Sequence, residues 1–353
     1  MAGGARHRGW PIATLAALFV LLVRPAASSW ADTQPGYQQC ITECWNDGCI
    51  ESFVAEPLCS APCLHPTGSA RVGLIEWECM ADCKALCADV LQVHWRRQFQ
   101  DPGFAEKFYG KWRFRRVLGF YEFASVVFSF GNLLVHVVGA AVCLRRFYLR
   151  RPRGVPAPPL RQCTWLLIPT TSVCCWAMSI WYHSRSSLDS LWPETVDTLT
   201  AASAPAGAAV HAVVRVPELS GAPAALAAVA GVAGYVLHVV TMLRGRVWDL
   251  PRHIVVCAVL YGSQAVLWWA WAATHGRTHP GVRLLVATHA AIGASFLLEA
   301  YDFQPLWGLF DAHSLWHLGT FVSTPLWYAF QYADLRHLED ARAAPPEETK
   351  KRE

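Results

Sequence analysis

From residue 117 onward the chain consists of long apolar runs separated by short polar breaks, and no other feature of the sequence restricts its fold as much. A hydrocarbon layer about 30 Å thick takes roughly 20 apolar residues to cross as a helix. Only helices and closed barrels satisfy every backbone N–H and C=O group there. The runs fall at about 118–144, 164–182, 197–214, 222–243, 254–273, 282–299 and 311–331. Seven spans is the most economical count, so the expected fold is all-α: a polytopic membrane protein with seven transmembrane helices. The third run is the weakest, being Ala-rich and interrupted by Pro205 and Gly207, residues that membrane helices tolerate when neighbours re-satisfy the backbone. Composition agrees. Charged residues make up 16% of the chain, against about 25% in soluble domains, which excludes a simple cytosolic enzyme. A net charge of +4 is too small to imply a nucleic-acid partner.

The first 29 residues read as a secretory signal peptide. Arg6 and Arg8 precede the apolar stretch Ile12 to Val23, and small residues follow at Ala26-Ala27-Ser28-Ser29. Such a stretch rises about 18 Å, too little to cross a bilayer. Eight of the 13 Cys then crowd into 40–87: Cys40, Cys44, Cys49, Cys59, Cys63, Cys79, Cys83 and Cys87. An even, dense set behind a signal peptide is the expected form of a disulfide framework. Zinc ligation by these thiols is the weaker reading, because no C-x2-C pattern supports it and an oxidising lumen opposes thiolates. Their pairing cannot be read from spacing. The other five (Cys143, Cys163, Cys174, Cys175, Cys257) lie in or beside apolar runs and read as small buried hydrophobes. The expected organisation is a signal peptide over 1–29, a luminal Cys-rich segment over 30–112, a seven-span domain over 113–332 and a cytosolic tail over 333–353.

A luminal N-terminus sends the first span into the cytosol. The next loop carries Arg145, Arg146, Arg150, Arg151, Arg153 and Arg161, as the positive-inside rule requires. Arg244, Arg246 and Arg252 argue the other way, but the first spans usually dominate. The cytosolic end Lys350-Lys351-Arg352-Glu353 resembles a dilysine retrieval signal, which implies coat-protein recognition and residence in the endoplasmic reticulum with cycling to the Golgi.

In this topology five polar residues gather near one leaflet. The second span ends Ser179-x3-His183, the third begins at Asp197, and the seventh begins Asp311-Ala312-His313-x3-His317. Residues four apart share a helical face, so His313 and His317 can address one metal ion. Three His with one open position is the ligand set of a catalytic zinc site, whose water is acidified. His183, His313 and His317 are therefore the candidate Zn2+ ligands. Asp197 is the candidate base or ligand orienter, and Ser179 the candidate donor to water or oxyanion. Asp311 reads as the N-cap of the last span. Glu122 and Glu299-x2-Asp302 lie on the same side, as supports of the site or contacts to a lipid headgroup. His136, His211 and His238 read as structural.

These residues resemble a known family. The Cys-rich segment, Phe108-Tyr109-Gly110-Lys111-Trp112, S-x3-H, the following Asp, Leu298-Glu299-x2-Asp302-Phe303 and Asp311-Ala312-His313-x2-Trp316-His317 look like the Per1-like GPI-remodelling phospholipases. That group belongs to a superfamily of seven-span hydrolases that includes alkaline ceramidases. The resemblance runs over about 37–332, and its Ser, Asp and three His fall on Ser179, Asp197, His183, His313 and His317. It implies removal of the sn-2 acyl chain from the phosphatidylinositol of GPI-anchored proteins at the luminal leaflet, with membrane lipid and anchored protein as partners. Ser184-Arg185-Ser186 replaces a Thr-Arg-Asp run, a few extra residues precede Asp197, and Cys59 and Cys63 look added. The rivals are a seven-span receptor or GPI-protein sorting factor without hydrolase activity, and a ceramidase-like amidase. The long Cys-rich segment argues against the amidase.

Overall fold

The computed structural model describes residues 29–64, 68–150, 160–185, 191–219, 221–244, 250–276 and 278–343. Residues 1–28 of the expected signal peptide and the dilysine-like end lie outside these residues. The Cys-rich unit begins with helix α1 (Pro35–Asp47). Pro35 opens it, where a missing N–H is harmless, and Gly48 ends it at φ 71°, with its N–H on the Cys44 carbonyl at 3.0 Å. Helix α2 (Cys79–Gln98) lies against α1, stapled by Cys40–Cys87 and Cys44–Cys83. The four-residue spacing in each helix puts both cysteines on one face, and an antiparallel pair of such helices joins outer to outer and inner to inner.

Cys49–Cys59 ties strand β1 (Cys49–Ile50) to β2 (Leu58–Cys59), and Cys63–Cys79 closes the framework. Cys59 and Cys63 thus serve different bridges, and all eight cysteines are bonded, which removes the thiolates a zinc site would need. Of the remaining five, Cys143 and Cys175 are buried as expected, Cys163 and Cys257 are half-buried, and Cys174 is exposed on the outside of its helix. A hairpin of β3 (Ser69–Val72) and β4 (Ile75–Glu78) hooks the unit to the chain leading into the membrane helices. Leu74 N–H donates to the Leu118 carbonyl at 2.7 Å, and Trp77 Nε1 to that of Gly119 at 2.9 Å. Tyr37, Trp77, Trp95, Phe108, Phe114 and Tyr121 form the aromatic centre of the unit.

Seven long helices follow: α3 (Phe123–Leu144), α4 (Leu167–Arg185), α5 (Leu191–Arg215), α6 (Gly221–Arg244), α7 (Leu250–His275), α8 (Val282–Tyr301) and α9 (Ala312–Ala343). They coincide with the seven expected runs. Among the described residues, four stretches are long and apolar enough to cross a membrane: Phe123–Leu149, Gln162–Arg185, Gly221–Arg244 and Arg252–His275. A shorter apolar stretch covers Val282–Leu298. The protein is a mostly helical, multi-pass membrane protein. Helices α5 and α9 are less apolar because their inner faces are polar: α9 alone buries Ser314, His317, Thr320, Ser323, Gln331 and Asp334.

Helix α3 packs between α4 and α9, α5 packs against α4, α6 and α7, and α8 closes onto α9. Helix α5 runs on through Pro205, the position that made the third run look weak. At the end remote from the Cys-rich unit, Arg215 forks onto Asp334 at 3.0 and 2.6 Å, and Arg146 meets Glu339 at 2.9 Å. These contacts carry α9 as a helix to Ala343, past the expected end of its span at 331. A helix of that length rises about 48 Å, more than the hydrocarbon layer.

The approach of α3 to α9 depends on Gly139, where a Cβ would sit 2.3 Å from the Tyr328 ring. Small residues let membrane helices come this close. Gly139→Ala is expected to lower the thermal unfolding midpoint in detergent, by the equivalent of about 1–3 kcal/mol of overpacking. Gly234→Ala, which meets nothing within 4 Å, is expected to leave it unchanged or raise it.

Candidate metal centre

The site lies at the end of the bundle that carries the Cys-rich unit, where the chain leaves α4, enters α5 and enters α9. Asp311 caps α9 as its position suggested: its Oδ1 accepts the Ser314 N–H at 2.8 Å. One turn of α9 then carries His313 and His317 on the same face, with ring centroids 4.5 Å apart. From α4, His183 brings its ring to 5.3 Å from His313 and 5.1 Å from His317. One ligand nitrogen from each lies within 4.8 Å of the other two, so the group could hold a metal ion.

Hydrogen bonds determine which nitrogen of His183 and His317 faces inward. His183 Nδ1 is 2.7 Å from Glu122 Oε2 at the head of α3. A carboxylate only accepts, so Nδ1 carries the proton and Nε2 presents its lone pair. That Nε2 is buried with no hydrogen-bond partner among the described residues. His317 Nδ1 is 2.9 Å from Ser129 Oγ and 3.4 Å from the Ser125 carbonyl, which again directs Nε2 inward. The Nε2 atoms of His313 and His317 stand 3.1 Å apart, so a proton or a cation must lie between them. Two nitrogens sharing a tetrahedral zinc at about 2.0–2.1 Å are about 3.3 Å apart. The donor set fits a zinc ion in geometry and also in charge, because a divalent cation balances the buried carboxylate of Glu122 and the half-buried one of Asp197.

Asp197 Oδ2 is 4.0 Å from His183 Nε2. Ser179 is buried one turn from His183 and shares a 3.1 Å hydrogen bond with Ser129 Oγ. The structure therefore brings all five expected residues together. It adds two that were not anticipated, Ser129 and Ser125, and gives Glu122 a definite partner in His183. Asn132 continues the same stripe, with its Nδ2 donating to the His317 carbonyl at 2.9 Å and to Thr320 Oγ1 at 3.2 Å. The three histidines read as structural are hydrogen-bonded elsewhere: His136 to Tyr328 at 2.9 Å, His211 to Thr164 at 3.0 Å and His238 to His253 at 3.1 Å. Asp302 lies on the surface and accepts from Trp112 Nε1 at 2.9 Å.

Comparison with known proteins extends beyond this cluster. A human protein named GPI-specific phospholipase A2-like PGAP3 is 30% identical, over 93% of this chain and 97% of its own length. The protein of the same name from Xenopus tropicalis is 27% identical, over 91% and 95%. Post-GPI attachment to proteins factor 3 from Drosophila melanogaster is 29% identical, over 72% and 74%. The sequence model of the Per1-like family matches residues 69–335, from the β3 hairpin into α9. The chain belongs to the Per1-like family.

Proposed function

We propose that this chain is a GPI-remodelling hydrolase that cleaves the sn-2 acyl ester of the phosphatidylinositol in GPI-anchored proteins. The observation that carries the reading is the inward convergence of three imidazoles, two of which, His183 and His317, are held from behind by Glu122 and Ser129. Water-exposed catalytic metal sites use three protein ligands and leave one position open. The relatives' names, GPI-specific phospholipase A2-like among them, supply the substrate class. Ionisable residues inside a membrane bundle mark function by default, because each costs several kcal/mol to bury.

In this reading His183, His313 and His317 hold zinc. When bound, zinc supplies an acidified water and a Lewis acid for an ester carbonyl. Asp197 Oδ2 accepts the proton of the attacking water and later returns it to the departing glycerol oxygen. Ser179 Oγ donates to the carbonyl oxygen as it gains negative charge. The water oxygen joins the acyl carbon, the sn-2 C–O bond breaks, and a fatty acid and a lysolipid leave. Glu122 keeps the His183 tautomer fixed throughout. The chain crosses the membrane seven times, with the Cys-rich unit in the lumen of the endoplasmic reticulum and the arginine-rich loop after α3 in the cytosol. Lys350 and Lys351 then lie on the side where coat proteins read dilysine signals.

Two experiments test the reading. In cells lacking the native activity, mass spectrometry of anchor lipids should show sn-2 deacylation restored by wild type and abolished with His317→Ala. Equal deacylation by both proteins would refute the site. Glu122→Gln should weaken zinc binding about 10–100-fold in chelator competition while leaving three imidazole ligands in place. Unchanged zinc affinity would remove Glu122 from the centre.

A further inference from the structure

The turn over 108–112 belongs to the Cys-rich unit, yet its Lys111 side chain reaches α4 and α5 beside the metal centre. Tyr109 and Gly110 take φ of 51° and 79°, and Phe108 and Lys111 exchange both backbone hydrogen bonds at 2.9 Å. That is the pattern of a two-residue type I′ turn. The turn is held by the Cys-rich unit, the Tyr109 N–H donating to Asp32 Oδ1 at 2.9 Å. The backbone of Lys111 is therefore fixed, and its side chain leaves the unit for the bundle. Lys111 Nζ lies 3.1 Å from Glu194 Oε2 at the head of α5 and 5.0 Å from the centroid of the Tyr182 ring on α4. The Tyr182 ring is in turn 4.7 Å from that of His183. Taken end to end, the last two separations bring the ammonium within about 10 Å of the His183 ring. The Lys111 and Glu194 side chains keep 14% and 32% of their exposure, so an anion can reach the pair. On the other side of the turn, Lys107 and Trp112 bind Asp302, between α8 and α9.

We propose that Lys111 binds the phosphodiester of the substrate's headgroup, an assignment that rests on the hydrolase reading above. The spacing supports this. In a glycerophospholipid five bonds separate the sn-2 carbonyl carbon from phosphorus, about 6 Å when extended. An ammonium–phosphate hydrogen bond adds about 2.8 Å. A carbonyl at the histidine cluster therefore puts its phosphate where Lys111 can bind it. Glu194 holds the ammonium at the mouth until the phosphodiester competes for it. The Cys-rich unit then completes the substrate site, and the disulfides that fix its turn fix the distance from phosphate to reacting ester.

The test is equilibrium binding of ether-linked phosphatidylinositol, which offers the headgroup and no cleavable sn-2 ester, to the full-length protein in micelles. A diether glycerol without phosphate is the comparator, and thermal unfolding checks that each variant is folded. Lys111→Met should weaken binding of the phosphatidylinositol ether about 10–100-fold, the loss of one charge-assisted contact, and leave the comparator unchanged. Lys111→Arg should retain binding, and Glu194→Gln should bind as tightly as wild type or more so. Three results would overturn the assignment: no binding by wild type, no change in Lys111→Met, or an equal loss in Glu194→Gln (an ion-pair latch only). Wild type that binds the ether but leaves the ester counterpart intact refutes the hydrolase reading and not the Lys111 contact. Hydrolysis by wild type with undiminished binding by Lys111→Met refutes the Lys111 contact alone.

Discussion

The hydrogen bond from His183 to Glu122 joins the first and second membrane helices at the point where the chain enters the bundle. It commits one nitrogen of the imidazole and turns the other toward α9. Ser129 does the same for His317 from the same helix, α3. A buried carboxylate and a stripe of hydroxyls are expensive in a membrane bundle unless they are satisfied. Their presence on α3 therefore constrains how α4 and α9 pack around it. The close contact at Gly139 belongs to the same seam and lets α9 come near enough for Ser129 to reach His317.

Much of this is legible in the sequence because helical periodicity and chemical scarcity point the same way. S-x3-H and H-x3-H each put two polar side chains on one face, and in a chain only 16% charged such pairs stand out. The seven helices lie where the apolar runs are. Ser125, Ser129, Asn132 and His136 repeat at helical spacing on the first span too. Two hydroxyls and an amide do not break an apolar run, so that stripe passes unnoticed until His317 is beside it. The disulfide pairing was equally hidden. Only the antiparallel packing of α1 and α2 shows why Cys40 joins Cys87 and not its neighbour Cys83. The continuation of α9 as a helix beyond the apolar run is not legible, because Asp334 and Glu339 look like solvated residues, whereas Arg215 and Arg146 pair with them and both are buried.

The Cys-rich unit first reads as a separate module. Its contacts connect it directly to the site, since its hairpin grips the Leu118–Gly119 turn just before Glu122, and its 108–112 turn reaches α4, α5 and the α8–α9 connection. Cross-links within the unit thereby restrain residues on the membrane side of it. This is the physical link between the cysteine density and the histidine cluster, two features that lie far apart in the sequence.

The central claim is that three imidazoles on two helices bind one zinc ion. X-ray absorption at the zinc edge on the purified full-length protein tests it most directly. The account predicts one zinc per chain, with three imidazole nitrogens at about 2.0–2.1 Å, an oxygen as fourth neighbour and no sulfur. A sulfur shell near 2.3 Å, or a protein that takes up no stoichiometric zinc while fully folded, would contradict it.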